Sequence, residues 1–334
     1  MNLEPFSLPL SHPLETAAGE IETRRGFVVS VEIDGTVGVG EATPLAGWTE
    51  SVAECRRALA AVDAPRSALE ADQLATTPAA RHGLSLAVLD ATARSEGRPL
   101  YRHLGTDSRI ESVPVNATVG DRSAPEIAEA VEAAVESGYP AVKVKVGKRR
   151  PDVDIGRIEA VRERCPEIEL RVDVNGGWDL ETAERIVPEL AALDVATVEQ
   201  PLPAAELHAH ERLRGHGVEI AIDEGIVEHG PDAVLDAGIA DVLVCKPMAL
   251  GGVDVAHAIA QSAREAGTDV LVTTTIDGAI ARAGAVHLAA SVPNTRPCGL
   301  ATGELLESDI RDGVCPVTGG AVAVPQGKGN IPPR

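Results

Sequence analysis

The chain has 334 residues, 44% of them hydrophobic but only 2% aromatic. That is room for a β/α barrel and a smaller domain, with a core filled by Ala, Val, Leu and Ile. A net charge of −21 excludes nucleic acid as a partner, because such a surface repels phosphate. No run of about twenty apolar residues occurs, so no transmembrane helix and no membrane partner are expected.

The N-terminal MNLEPFSLPLSHPLE has neither a basic start nor a long apolar stretch; we expect no signal peptide and a cytoplasmic location. The following RRGFVVSVEIDGTVGVGEATP reads as a β-hairpin turning at Asp34-Gly35. Helical segments come next, around SVAECRRALAAV and RHGLSLAVLDATAR. Residues 1–110 are therefore expected to form an α+β domain ahead of the rest.

From about residue 113 a different rhythm begins. Short Val/Ile/Leu-rich runs alternate with Ala/Glu/Arg-rich helical segments: VPVNATV (113–119), AVKVKVG (141–147), LRVDVNG (170–176), ATVEQP (196–201), EIAIDEG (219–225), DVLVCKP (241–247) and DVLVTTT (269–275), with TRPCGL (295–300) as a weaker eighth. The spacing suits a strand, a loop and a crossover helix, and eight such units favour a parallel barrel over 111–304. Ser123 and Pro125 open one helix and Gly138 ends it; Asp179 caps another, which Pro188 is expected to bend or shorten. GVDVAHAIAQSAREAG is a third. The tail, 305–334, has strand character in GGAVAVP and is expected to return to the first domain.

Side chains on a strand alternate between faces. Lys143 and Lys145 thus share one face of AVKVKVG, opposite Val142, Val144 and Val146. Two lysines inside a barrel are costly unless they stand near its open end; there, crowding and partial desolvation would lower the pKa of one and suit it to general-base work. The plainer alternative is a pair of solvated edge lysines, in a chain whose only other lysines are Lys148, Lys246 and Lys328. Next, Asp173, Glu199 and Asp223 end three successive strands, 26 and 24 residues apart, and Lys246 ends the strand after them. One such acid could be a helix cap; three at matched positions deliver three hard oxygen ligands to one rim, which suits Mg²⁺ better than Zn²⁺, with Mn²⁺ as a substitute. Lysines on two sides of a divalent ion point to removal of a proton α to a carboxylate, with the ion bound to that carboxylate as Lewis acid.

In this order, Lys143-Val-Lys145, Asp173-Val-Asn175, Glu199-Gln-Pro201, Asp223-Glu224 and Lys246, the chain resembles the enolase superfamily, and its muconate-cycloisomerase-like branch in particular. The resemblance implies an α/β fold, an enolase-type (β/α)7β barrel with an N-terminal α+β capping domain. Within the branch the chain is most similar to the o-succinylbenzoate synthases of menaquinone biosynthesis, through GVGEATPLAGWTES (38–51), Arg171 two residues before Asp173, and CGLATGELL (298–306). That resemblance implies Lys145 as base with Lys143 holding its pKa down, Mg²⁺ on Asp173, Glu199 and Asp223, and Lys246 stabilising the enediolate. The reaction implied is syn dehydration of a cyclohexadiene carboxylate. Arg171, Asn175, Thr274, Thr275, Asp277, Gly278 and Trp48 are implied on the substrate side, Trp48 either facing substrate or anchoring its loop. TTTIDGA has Thr and Asp where many relatives carry Ser and Glu.

Other features are read as structural. His208 and His210 are expected on the surface of a polar helix, His287 in a core-facing helix, and Glu41 within the capping domain. Gly38-Val-Gly40 opens no helix and lacks the third glycine of a dinucleotide site. The five cysteines form no CxxC and are expected as buried free thiols. The acidic, lysine-poor composition fits a salt-rich cytoplasm and hence a halophilic source; full activity and stability at low KCl would count against that. Rival functions on the same scaffold are N-succinylamino-acid racemase, dipeptide epimerase and cycloisomerase. The first two would use Lys145 and Lys246 as opposed bases, while CGLATG stands where dipeptide epimerases usually carry D-x-D. A non-catalytic barrel should have lost a lysine or an acid, and none is missing. The partner expected is a small carboxylate; a homo-oligomer is left open.

Overall fold

The structure, a computed structural model, describes residues 1–16 and 19–332. Its N-terminal part is an antiparallel sheet, β1 (Asn2–Thr16), β2 (Gly19–Ile33) and β3 (Thr36–Ala42), in that order. The β2–β3 hairpin turns at Asp34-Gly35, both at positive φ (51° and 80°), as a two-residue type I′ turn requires. No strand is expected from the sequence where β1 lies, and Pro5 and Pro9 stand within it. At the sheet edge their missing N–H groups can face away from the ladder.

The long helix Pro78–Ser95 crosses this sheet. Gly38 and Gly40 exist for that contact: a Cβ on either would strike the helix backbone, at the carbonyls of Ala87 and Gly83. Phe27, Val29 and Val31 meet Leu84, Ala87 and Ala91 in the resulting core. A shorter helix, Val52–Ala60, starts at a Ser51/Glu54 capping box.

Seven parallel strands follow in order round the second part: β5 (Asn116–Val119), β6 (Ala141–Lys145), β7 (Glu169–Asp173), β8 (Val195–Glu199), β9 (Glu219–Ile222), β10 (Val242–Cys245) and β11 (Asp269–Val272). The expected first strand is divided, because β4 (Ser112–Pro114) joins β12 (Val317–Thr318) and β13 (Ala321–Ala323) in a small separate sheet. The expected eighth strand makes only isolated bridges, Cys298 to Val115 and Gly299 to Thr273. These close the ring, since Asn116 N–H donates to Cys298 O (2.9 Å) and Gly299 N–H to Val272 O (2.9 Å). The fold is an α/β barrel with an N-terminal capping sheet and helices.

Helix boundaries largely follow their signals. Ala124–Glu136 begins with Ser123 N–H donating to the Glu126 carboxylate at 3.0 Å. Pro188 does not shorten its helix, which runs Leu180–Ala192. Pro188 and Glu184, whose carbonyl loses a partner, both lie on the exposed face, where water can replace the donor. The tail passes β13 along β4 and then meets the cap helix: Asn330 N–H donates to Asp90 Oδ1 (2.6 Å) and Arg94 Nη2 to Ile331 O (2.6 Å). All five cysteines are free and buried. Among the described residues no helix is long and apolar enough to cross a membrane.

Candidate active site

Strand register assembles the charged cluster. Lys145 pairs with Asp173 and Asp173 with Glu199, so three neighbouring strands end at one level. Glu199 pairs with Ala221, which puts Asp223 one further step toward the mouth on the same face. The opposite faces of these strands carry Val142, Val144, Val172, Val198, Ile220 and Ile222, all buried against the helices. Side-chain alternation thus separates an apolar outer face from a charged interior.

The charges pair closely. Lys143 Nζ lies 2.8 and 3.0 Å from the two Glu199 oxygens and 2.9 Å from Asp173 Oδ2. Lys145 Nζ donates to Asp173 Oδ2 and to Asn175 Oδ1, both at 2.7 Å. Lys246 Nζ donates to Asp223 Oδ2 at 2.5 Å and stands 3.5 Å from the centre of the Trp48 ring, a cation–π contact. Asn175 Nδ2 donates to Glu224 Oε1 at 3.0 Å. Gln200, fully buried, accepts the N–H groups of Asp223 (3.0 Å) and Gly225 (3.1 Å) and so fixes the turn that carries Asp223.

Burial and crowding govern the ionisation. Asp173, Glu199 and Asp223 are each 3% exposed or less. Burial pushes Glu199 above the usual carboxylate range, and the charges of Asp173 and Asp223 push it further. Burial raises Asp223 as well, against the pull of Lys246. Burial also works against ionised Asp173, yet Lys143 and Lys145 hold it well below that range. Lys143 keeps its ammonium: burial favours the neutral form, but Asp173, Glu199 and Asp223 outweigh it.

Asp223 Oδ1 and Glu224 Oε2 are buried with no hydrogen-bond partner. Two carboxylates held above their normal range and an acceptor without a donor are what a hard divalent cation relieves, so the donor set fits one. Among the described residues no three such groups converge on one point as the side chains stand; Lys143 lies between Asp173 and Glu199, and the lysines must turn aside for an ion to enter.

Of the other residues singled out in the sequence, Asn175 and Trp48 are brought to this cluster. Trp48, half-buried, lines a cavity of about 510 Å³ with Gly47, Asn175, Gln200, Glu224 and Glu228. Arg171 is not brought there. It is 1% exposed and lies one layer deeper, its Nε 2.7 Å from Glu169 Oε1 and its Nη1 2.7 Å from Pro297 O. Arg296, on Glu219 and Asp269, fills the same closed end. Thr274, Thr275, Asp277 and Gly278 follow β11 with their polar groups engaged: Thr274 with Thr302 (2.7 Å), Thr275 with Asp277 (2.5 Å), Gly278 N–H with Glu41 (2.7 Å).

One of the residues read as structural sits elsewhere than expected. His210 is buried, not on the surface, with Nδ1 near the carbonyls of Glu206 and Leu207; Glu41 stands on β3 of the cap as expected, and its carboxylate reaches the barrel. His287 is buried against Tyr101, with Nε2 2.7 Å from Asn330 O. Gln200 and Glu224 had a readable signal in the E-Q-P triplet and the D-E pair, yet nothing in the spacing gave them a task.

A family described as Enolase C-terminal domain-like matches residues 126–330. The chain belongs to the enolase superfamily. A further match, MenC, N-terminal domain, covers residues 1–91 of this superfamily member. The enzyme is 40% identical to the o-succinylbenzoate synthase of Thermobifida fusca (strain YX) over 207 residues, 60% of this chain and 63% of that one. It therefore spans less than two thirds of that relative. It is 28% identical over 341 residues to the L-Ala-D/L-Glu epimerase of Bacillus subtilis (strain 168), covering 96% of this chain and 92% of that one. A dipeptide epimerase from Enterococcus faecalis V583, solved with Mg and the dipeptide L-Leu-L-Tyr, superposes with a TM-score of 0.89 at 25% identity, over 98% of this chain and 97% of that one.

Proposed function

We propose that this superfamily member is an o-succinylbenzoate synthase, acting in menaquinone biosynthesis on 2-succinyl-6-hydroxy-2,4-cyclohexadiene-1-carboxylate. The observation that carries the reading is the ordered cluster of Lys143, Lys145, Asp173, Glu199, Asp223 and Lys246 at one rim, together with the synthase-type N-terminal match and the 40% identity to a synthase. Asp173, Glu199 and Asp223 would hold Mg²⁺, as the Mg-bound epimerase encourages; Mn²⁺ would substitute. When bound, the ion supplies Lewis-acid stabilisation for charge developing on the substrate carboxylate.

The chain's own residues supply the rest. Lys145, with 36% of its side chain exposed, is the base that takes the proton α to the carboxylate. Asn175 aims its Nζ, and Asp173 holds it beside Lys143. Lys246, held beneath the Trp48 indole, faces the developing anion and donates to it. The C–H electrons form the new ring double bond as the C–O bond breaks, and Lys145 returns its proton to the departing hydroxyl, so that water leaves from the same face. Trp48 and the adjoining cavity receive the succinyl arm. Arg171, deep in the barrel, plays no direct part.

A second reading is supported by the epimerase similarity along nearly the whole chain and by lysines on β6 and immediately after β10. Two lysines facing a bound α-carbon from different sides could exchange its proton and racemise it, as in an N-succinylamino-acid racemase or a dipeptide epimerase. Ultraviolet-monitored dehydration of the cyclohexadiene carboxylate with Mg²⁺, run beside racemisation of N-succinyl amino acids, separates the two. Turnover in the first assay is expected; racemisation without dehydration sinks the synthase reading.

A further inference from the structure

Buried polar groups of the cap grip one segment of the barrel mouth, and the chemistry above does not use them. Arg24 on β2 is 3% exposed. Its Nε donates to Ile276 O (3.1 Å), its Nη1 to Pro44 O (3.0 Å) and its Nη2 to Thr43 O (2.8 Å). Glu41 on β3 is fully buried. It accepts the N–H groups of Gly278 (2.7 Å), Ile280 (3.1 Å) and Ala281 (2.9 Å) and the hydroxyl of Thr43. The first turn of the barrel helix Ala279–Ser291 is thus capped by a side chain more than 230 residues away in sequence.

The segment held between these two groups is strained. Ile276 has φ 61°, a left-handed conformation that a β-branched side chain strongly disfavours. Its N–H reaches Thr274 Oγ1 (3.3 Å) and its carbonyl is the one held by Arg24. At Gly278 a Cβ would meet the Glu41 carboxylate and Ile310, so cap and loop touch there with no room for a side chain. Burial and the charge of Asp277 raise Glu41, Thr43 and the amides of Ala281 and Gly278 pull it back, and the balance leaves it at about 7.

A purely adhesive contact would be apolar, because burying charges seldom stabilises more than hydrophobic packing of the same volume. What charged groups add is a single backbone position. The backbone they fix continues from β11 through Thr273, whose N–H donates to Cys245 O beside Lys246.

We propose that Arg24 and Glu41 are positioning residues, which hold Thr274–Gly278 in its strained form as a preformed wall of the substrate site. The word substrate here rests on the proposed function. The strain is maintained by the cap, so cap docking and site geometry are one event. A mouth without the cap would lose this wall as well as its lid.

Hydrogen–deuterium exchange on the full-length chain tests the clamp without any substrate. Glu41→Gln and Arg24→Ala are compared with wild type, and Arg24→Lys stands in should the alanine variant fail to fold. Exchange over 274–281 is expected to quicken about tenfold or more while 141–146 stays unchanged. Steady-state kinetics on whichever substrate is turned over should show KM rising about tenfold with kcat within about threefold of wild type. Unchanged exchange in that segment overturns the proposal. So does faster exchange with KM unaltered, or an even rise across the whole chain with a fall in Tm. Should the wild-type chain turn over neither cyclohexadiene carboxylate nor N-succinyl amino acids, the functional reading falls, and the exchange result still decides whether the clamp exists.

Discussion

The mouth of the barrel is built in two ways. Over β6 to β9 the interior groups are charged and crowded, and they border a cavity: Lys145 is 36% exposed on its side chain, Asp223 Oδ1 lacks a donor, and Glu199 is held above its normal range. Beyond β11 the cap covers the rim, and Glu41 and Arg24 are buried with their hydrogen bonds made to backbone and, for Glu41, also to the Thr43 hydroxyl. Lys246 stands at the border, paired with Asp223 on one side and the cap's Trp48 on the other. Groups poised for chemistry are left with unmet electrostatic demand, which a metal or substrate can satisfy. Groups that set geometry are saturated, so that nothing competes for them.

The contrast can be broken from the reactive side first. Lys145→Ala should lower α-proton exchange, followed by NMR in D₂O, at least about a thousandfold; near wild-type exchange would remove Lys145 as the base. Chelation of divalent ions should abolish turnover and leave the fold intact by circular dichroism, with activity restored by Mg²⁺ or Mn²⁺. An enzyme indifferent to chelator would leave the acid cluster without its proposed purpose. Trp48→Ala removes a contact at the border and should raise KM about tenfold with a smaller effect on kcat; an unchanged KM would make Trp48 an anchor of its loop only.

The saturated side shows itself in stability and not in turnover. Glu41 titrates near 7 in the fold against an ordinary value of 4.5. Between those values the native chain keeps a proton that the unfolded chain releases, so this contribution to stability is present below about pH 4.5 and lost as pH rises through 7. Glu41→Gln does not titrate, and its Tm should therefore improve relative to wild type from pH 5 to pH 8, by up to about 3 kcal/mol in stability. A Tm difference that does not change with pH would show that the carboxylate is ionised throughout and the saturated description is incomplete.

Much of this was legible in the order of residues. The alternation of β6 and β7 separates Lys143, Lys145 and Asp173 from their valine neighbours, and the separations of 26 and 24 residues place Glu199 and Asp223 one unit further each. Turn chemistry at Asp34-Gly35 located the hairpin. β1 was not legible, because its prolines are compatible with a strand only at a sheet edge, and an edge position is a tertiary fact. Arg171 shows the limit on the reactive side: it shares a face with Asp173, but two residues of strand rise, about 6.6 Å, put it in the layer that closes the bottom of the barrel. Face is encoded in periodicity; height along a barrel axis is not.

By itself the sequence determined the parallel barrel, the β2–β3 hairpin, and which strand ends carry lysine and which carry acid, because each follows from local alternation, turn chemistry and regular spacing. Only the tertiary structure decided which lysine meets which acid, that Lys143 remains an ammonium, and that Glu41 and Arg24 reach the loop after β11. Those outcomes depend on contacts between residues as much as 252 apart and on a buried dielectric shared by several charges, neither of which leaves a mark in local pattern.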